Sequence, residues 1–335
     1  IWFHGVVGAI LPIKEELCFS NDLKIRKKMI QLLLPEHMQP QELRKELLEL
    51  DPGLKIGIGP EKESPEKVEF VVIWNQPHGT LRPYRNLKAI CVYGHGVDSA
   101  LQDPELPKEV PIFRLADQTM ALWMSEYLLT AVLMHRRQMV MHIREPENIP
   151  WGRTVRLEGN RVGILGLGFL GQDAAKLFLK LGFEVWGWSR SPKTLADVCC
   201  FHGNEGLDEV LANSDFLISL LPLTSETENL LDLKSMKKMK KGAYLINVGR
   251  GKVLVEEALI QMLDESHLSG ACLDVFRQEP LPQNHIFRKH PKILVTPHNS
   301  SSTPAKSVAP QILENYKNLK QDRPLKNLVD LRRGY

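Results

Sequence analysis

The sequence predicts an α/β protein built on a doubly wound parallel sheet, with a second, smaller α/β domain beside it. Three observations carry this. From residue 161 onward, short apolar runs alternate with helical stretches, as in a parallel sheet with crossover helices. A glycine-rich turn, Gly166-Leu167-Gly168-Phe169-Leu170-Gly171, separates the first of those runs from the helical pattern after it. At 335 residues, 43% of them hydrophobic, the chain is large enough for two domains.

In the second half, strands are predicted at "RVGIL" (161–165), "EVWGW" (184–188), "DFLISLL" (215–221), "AYLINV" (243–248), "GACLDV" (270–275) and "KILVT" (292–296). Between them, "QDAAKLFLKL", "GLDEVLAN" and "VEEALIQMLDES" repeat apolar residues at three- and four-residue spacing, which predicts helices. The first half offers strands at "VEFVVIWN" (68–75), "LKAICVYG" (87–94) and "VPIFRLA" (110–116), with turn signals at Pro52-Gly53 and Pro77-His78-Gly79. Residues 20–50 hold two charged helical patterns, "NDLKIRKKMIQLLL" and "PQELRKELLEL", whose cations read as a solvated face. Residues 119–143 are apolar on most faces of a long helical pattern, so that helix is covered either between domains or between subunits.

The apolar start, "IWFHGVVGAILPI", lacks a basic leader and soon meets Lys14, Glu15 and Glu16, which predicts a buried strand rather than a signal peptide. No apolar run approaches a membrane span. A formal charge of +3, with the cations scattered, gives no footprint for nucleic acid or an anionic membrane. The five cysteines, with no C-x-x-C pair, argue against a disulfide framework and a zinc knuckle, so a reducing, cytoplasmic setting and no metal are expected.

The glycine turn has the spacing of a dinucleotide cradle. Gly166 permits the tight turn, Gly168 lets a pyrophosphate approach the backbone, and Gly171 lets the helix pack on its strand. The helix N-terminus adds free N–H donors and partial positive charge. The end of the next strand, where an acidic residue would accept the ribose hydroxyls of NAD, instead holds Ser189 and Arg190, with Lys193 beyond. A hydroxyl beside a guanidinium suits a 2′-phosphate, so the expected cofactor is NADP(H).

Ligands of open α/β sheets lie at the carboxyl ends of the strands. There the sequence places Arg250 in "LINVGRG", Asp274 and Glu279 in "CLDVFRQEPL", and His298 in "ILVTPHNSS". Singly, each also fits a structural role, such as an Arg250–Glu279 ion pair or a satisfied loop histidine; together they read as a site.

These segments, with "GHGVDS" (94–99), "LLPLTSET" (220–227) and "NVGRGKVLVEEAL", resemble the D-isomer-specific 2-hydroxyacid dehydrogenase family, whose Arg, Glu and His are matched by Arg250, Glu279 and His298. Within it, the "WSR" after the second strand and the closing "RGY" are most similar to a group of NADP-dependent glyoxylate/hydroxypyruvate reductases. The resemblance implies a Rossmann dinucleotide-binding domain over 118–298 and a flavodoxin-like substrate domain over 1–117, completed by 299–335. It implies that Phe169 and Leu170 in the cradle, Pro222, Val248, Gly249 and Met124 line the cofactor, and that Asp274 meets the nicotinamide carboxamide. It further implies a homodimer acting on a small 2-keto acid, without nucleic acid or membrane partners.

The residues suit that chemistry. Arg250 can hold the acid's carboxylate and polarise its carbonyl. His298 can give the proton, and Glu279 against its other ring nitrogen would favour the imidazolium. The backbone N–H groups of His95, Gly96 and Val97 can form an anion-binding concavity, though a plain glycine turn also fits. Many members carry Ala where His95 stands; the side chain either touches substrate or points away. Trp74 either limits the pocket to a small keto acid or is a core residue. Two alternatives stay open: a dehydrogenase for a bulkier 2-keto acid, and a dinucleotide-sensing, corepressor-like interaction protein.

Overall fold

The computed structural model describes residues 29–61, 64–144, 151–152 and 156–335. The strand expected at the start of the sequence lies outside them. Two separate parallel sheets form, each with its own core.

The first sheet comprises β1 (Met29–Leu33), β2 (Lys55–Ile58), β3 (Val68–Ile73), β4 (Ala89–Val92) and β5 (Ile112–Arg114), in the order β2-β1-β3-β4-β5. Helix α1 (Pro40–Leu50) connects β1 to β2, and the short α2 (Asp98–Leu101) follows β4. Here the sequence reading needs correction: Met29–Leu33, expected to end a charged helix, is a strand paired on both sides. Ile30 and Leu32 are fully buried among Phe70, Val72 and Cys91, and two-sided sheet burial outweighs the helical spacing of the preceding charges. "PQELRKELLEL" is helical as expected, and Leu43 and Leu47, one turn apart, face the core.

Helix α3 (Gln118–Arg136) leads out of the first sheet. Asp117 caps it by accepting from Thr119 N at 2.9 Å and Met120 N at 3.3 Å. The single long helix expected over 119–143 is two: the chain breaks at Gln138, whose φ is 52°, and resumes as α4 (Met139–Arg144). Met124, Leu128, Ala131 and Val132 are buried, whereas Leu122, Trp123, Leu133, Met139 and Ile143 remain exposed. Among the described residues, the chain therefore covers only one face of this helical pair.

The second sheet follows in order: β6 (Arg161–Leu165), α5 (Phe169–Lys180), β7 (Glu184–Ser189), β8 (Val198–His202), α6 (Gly203–Asn213), β9 (Phe216–Ser219), α7 (Leu233–Lys238), β10 (Tyr244–Asn247), α8 (Glu256–Asp264), β11 (Gly270–Leu273) and β12 (Ile293–Val295). Its strand order is β12-β11-β10-β9-β6-β7-β8. The chain winds outward from β6 in both directions, which opens a crevice at the carboxyl ends between β6 and β9. Strands β9, β10 and β11 are buried throughout, as parallel strands covered by helices on both faces must be. Strands β2 and β8 were not expected; both lie at sheet edges.

After β12 the chain returns to the first sheet through α9 (Ala305–Lys320), whose Val308, Ala309 and Ile312 are buried with Phe70 and Phe113. Among the described residues, no helix is long and apolar enough to cross a membrane.

Candidate active site

A cleft of about 1260 Å³ lies between the two sheets and collects most of the predicted site residues. That volume accommodates a dinucleotide with a small acid beside it.

The cradle is built by sterics. Gly166 leaves β6 with φ 108°, a backbone region that glycine alone enters readily. A Cβ on Gly171 would fall 2.0 Å from the carbonyl oxygen of Gly166, so only glycine lets α5 start this close to its strand. A Cβ on Gly168 would meet nothing within 4 Å; the space in front of it is open. Leu170 lines the cleft, whereas the Phe169 side chain is exposed outside it.

At the end of β7, Ser189, Arg190 and Lys193 all line the cleft. The Ser189 hydroxyl donates to Ser191 O at 2.8 Å, within its own turn. Lys193 reaches back to the cradle and donates to Leu167 O at 2.5 Å. Arg190 pairs with Glu226 at 2.8 Å and lies over the ring of Tyr335. With no carboxylate in the second-strand position and two cations facing an open glycine turn, the donor set fits NADP.

Opposite the cradle, Arg250 follows β10 and extends under the first sheet. Its Nε donates to Asp98 Oδ1 at 2.7 Å and its Nη1 to Gly249 O at 2.8 Å. A Cβ on Gly96 would fall 1.4 Å from Arg250 Nη2, so the guanidinium rests directly on the backbone of "GHGVDS". Gly96 and Val97 line the cleft with it. Trp74 also lines the cleft, its ring filling the space that a Cβ on Gly94 would occupy.

His95 lines the same wall, but its ring lies 6.2 Å from that of Phe169, toward the cradle. Burial, then the charge of Arg114, pushes its imidazole down to about 3, so it is neutral near pH 7. Its Nδ1 is buried without a partner among the described residues.

His298 and Glu279 meet at the cleft rim, with Nδ1 and Oε2 2.7 Å apart. Glu279 Oε1 also accepts from Phe276 N at 2.9 Å. Burial alone would raise the Glu279 carboxyl, but the bonds from His298 and Phe276 and the charge of Arg250 together hold it below its ordinary range. The pair leaves the other ring nitrogen, Nε2, for a ligand.

His298 has φ 53°, a strained conformation for a side-chain-bearing residue. Asp274 holds it there. Its carbonyl accepts from His298 N, and its carboxylate accepts from Asn299 N, Ser300 N and the Thr296 hydroxyl. Asp274 is thus fully buried behind the loop and does not line the cleft. Four residues of the polar run "NSSST" bond at this turn: besides Asn299 and Ser300, Ser301 donates to Met120 O, and Thr303 O accepts from the Tyr93 hydroxyl. Pro222, Val248, Gly249 and Met124 line the cleft as expected.

Four cleft residues escaped the sequence reading: Asp98, Arg114, Glu226 and Tyr335. Asp98 lay inside a motif already singled out. Glu226 and Tyr335 also lay inside quoted segments, "LLPLTSET" and "RGY", and Arg114 inside the strand "VPIFRLA", but their partners lie elsewhere in the chain and no local spacing signals those contacts.

Comparison with known proteins agrees with this geometry. The family model for the D-isomer specific 2-hydroxyacid dehydrogenase NAD binding domain matches residues 129–300. Glyoxylate/hydroxypyruvate reductase A of Photorhabdus laumondii is 36% identical over 274 residues, 80% of this chain and 88% of that protein. The enzyme of the same name from Serratia proteamaculans is likewise 36% identical over 274 residues, with the same coverage. A D-isomer specific 2-hydroxyacid dehydrogenase from Xanthobacter autotrophicus, solved with NADPH and MES, superposes with a TM-score of 0.87 at 37% identity, covering 92% of this chain and 100% of that one. An NADPH-dependent glyoxylate/hydroxypyruvate reductase from Sinorhizobium meliloti, solved with NADP and sulfate, superposes with a TM-score of 0.85 at 31% identity over the same shares. The chain is a two-domain α/β protein with a Rossmann-type nucleotide domain, and it belongs to the D-isomer specific 2-hydroxyacid dehydrogenase family.

Proposed function

We propose that the protein is an NADPH-dependent reductase of small 2-keto acids, turning glyoxylate into glycolate and hydroxypyruvate into glycerate. The observation that carries this is the convergence of Arg250 and the His298–Glu279 pair on the cleft that also holds the open glycine cradle. NADPH, when bound, supplies the hydride that reduces the keto carbon. Arg250 holds the substrate carboxylate against the backbone of Gly96 and Val97 and polarises the carbonyl. His298 gives a proton from Nε2 to the carbonyl oxygen as charge develops there, and the Glu279 carboxylate stabilises the charged ring beforehand. Arg190 and Lys193 bind the 2′-phosphate of the cofactor. Trp74 closes the pocket against large substituents.

The substrate domain in this reading spans 1–117 and is completed by 299–335, and the nucleotide domain spans 118–298. The exposed face of α3 and α4, with Leu122, Trp123, Leu133 and Ile143, supports a homodimer, because a second copy would cover it. The free cysteines Cys91, Cys199, Cys200 and Cys272 suit a reducing cytoplasm.

Initial rates with glyoxylate, hydroxypyruvate, pyruvate and phenylpyruvate, each with NADPH and NADH, test the proposal. Faster turnover with NADH, or a preference for phenylpyruvate, overturns it.

A further inference from the structure

Residues 327–335 bring Gly334 and Tyr335 to the wall of the cleft, at a place that neither the hydride chemistry nor the acid cradle uses. They begin on the first sheet: Asn327 O accepts from Arg114 N at 3.1 Å and Val329 N donates to Ile112 O at 2.8 Å. Leu328 bridges Phe113 in antiparallel fashion, so the segment is attached to the edge of β5. A turn then forms around Asp330. Its carboxylate accepts from Arg332 N at 3.0 Å, its carbonyl accepts from Gly334 N at 2.9 Å, and Gly334 has φ 76°.

This turn carries the chain across the cleft to the second sheet. A Cβ on Gly334 would stand 3.4 Å from Thr224 Cγ2, in the loop after β9. The Tyr335 ring then meets the Arg190 guanidinium, 5.2 Å from its centroid. A segment rooted in one domain thereby touches the cation that reads the cofactor in the other.

We propose that Tyr335 is a positioning residue for cofactor choice: its side chain holds the Arg190 guanidinium in one orientation at the place where a 2′-phosphate would lie. Arg190 is a long side chain, more than a third exposed, and without the ring it would sample many rotamers. The aromatic face and a side-chain hydrogen bond from the guanidinium to Tyr335 together fix the plane of the group. Glu226 occupies one edge of the same group and stands where a phosphate would compete for it. The inference rests on the reading of Arg190 as the 2′-phosphate ligand.

Calorimetric titration of NADP⁺ and NAD⁺ into the full-length protein tests it without any turnover. Tyr335→Ala should weaken NADP⁺ about two- to five-fold, the size of an exposed cation–π contact, and leave NAD⁺ unchanged. Tyr335→Phe, which keeps the ring and loses the hydroxyl, should weaken NADP⁺ less than Tyr335→Ala and leave NAD⁺ unchanged. In an Arg190→Ala background, Tyr335→Ala should have no further effect. Equal weakening of both dinucleotides, no weakening of NADP⁺, a Phe variant that behaves like Ala, or full additivity in the double variant overturns the proposal. If Arg190→Ala keeps its preference for NADP⁺, the reading of Arg190 fails and this inference fails with it. If Arg190→Ala loses the preference and Tyr335→Ala keeps it, the inference alone fails. Melting temperatures of the variants separate these outcomes from misfolding.

Discussion

Arg250 and Asp98 belong to different sheets, and the 2.7 Å contact between Nε and Oδ1 joins them across the cleft. Both side chains are largely sheltered, so the pair fixes the guanidinium plane rather than decorating the surface. Arg250 Nη2, lying over Gly96, has no protein partner among the described residues and faces the space assigned to the substrate carboxylate.

Asp98→Asn keeps the shape of this contact and removes its charge. Losing a charge-assisted hydrogen bond of about 1.5–3 kcal/mol predicts a fall in kcat/KM for the keto acid of about 10- to 100-fold. The affinity for NADP⁺, measured by calorimetry, should stay within about two-fold, because Asp98 lies on the acid side of the cleft.

The glycines of the cradle separate folding from binding. Gly168→Ala meets empty space at a backbone φ of −75°, so the melting temperature should hardly move, in line with a change within about 0.5 kcal/mol. The new methyl stands in front of the donors, and NADP⁺ affinity should fall about tenfold or more. Gly171→Ala strikes the backbone of Gly166 and should cost about 1–3 kcal/mol of stability in a denaturant titration.

The lowered pKa of Glu279 gives a signed pH effect. A carboxyl held lower in the folded chain than in the unfolded one stabilises the fold above its ordinary value of about 4.3, and that contribution is lost as pH falls through the folded value. Glu279→Gln should therefore melt below the wild type near pH 7 and converge with it in acid, as thermal melts from pH 7 to pH 3 would record. His298→Gln should lower kcat about 10²- to 10⁴-fold, the range for a positioned proton donor.

Glu226 pairs with Arg190, and under the proposed function it competes with the cofactor's 2′-phosphate for that guanidinium. Such exposed pairs are worth about 0.2–1 kcal/mol, so Glu226→Gln should tighten NADPH binding by up to about five-fold and leave NADH unchanged. A steady-state comparison of KM for the two cofactors measures this directly.

The central strands and the Arg250, Glu279 and His298 set were legible in the sequence, because parallel strands write continuous apolar runs and the site sits where those runs end. The edges were not. Strand β8, "VCCFH", is short and has no fully buried residue, and β2, "KIGI", is as short and as open. Met29–Leu33 followed charges at helical spacing, and only its neighbours β2 and β3 make it a strand. The break at Gln138 has neither glycine nor proline to announce it. Asp98 is 152 residues from its partner Arg250, and a pairing over that distance is created by the fold. Asp274 was placed at the right strand end, yet its burial behind the His298 loop depends on three donors that no spacing specifies.

Because all seven strands of the nucleotide sheet point the same way, their two rims have different duties. Every cleft residue of that sheet belongs to the carboxyl rim. The turns at Gly182 and Gly242 enter β7 and β10 from the opposite rim, where the chain is exposed and nothing crowds the backbone within 4 Å of an added Cβ. Roughly 20 Å of strand separates the Gly182 turn from the chemistry. A dye or a short peptide insertion at that rim stays clear of the cleft, which makes it the natural handle for attaching or labelling the protein in single-molecule work.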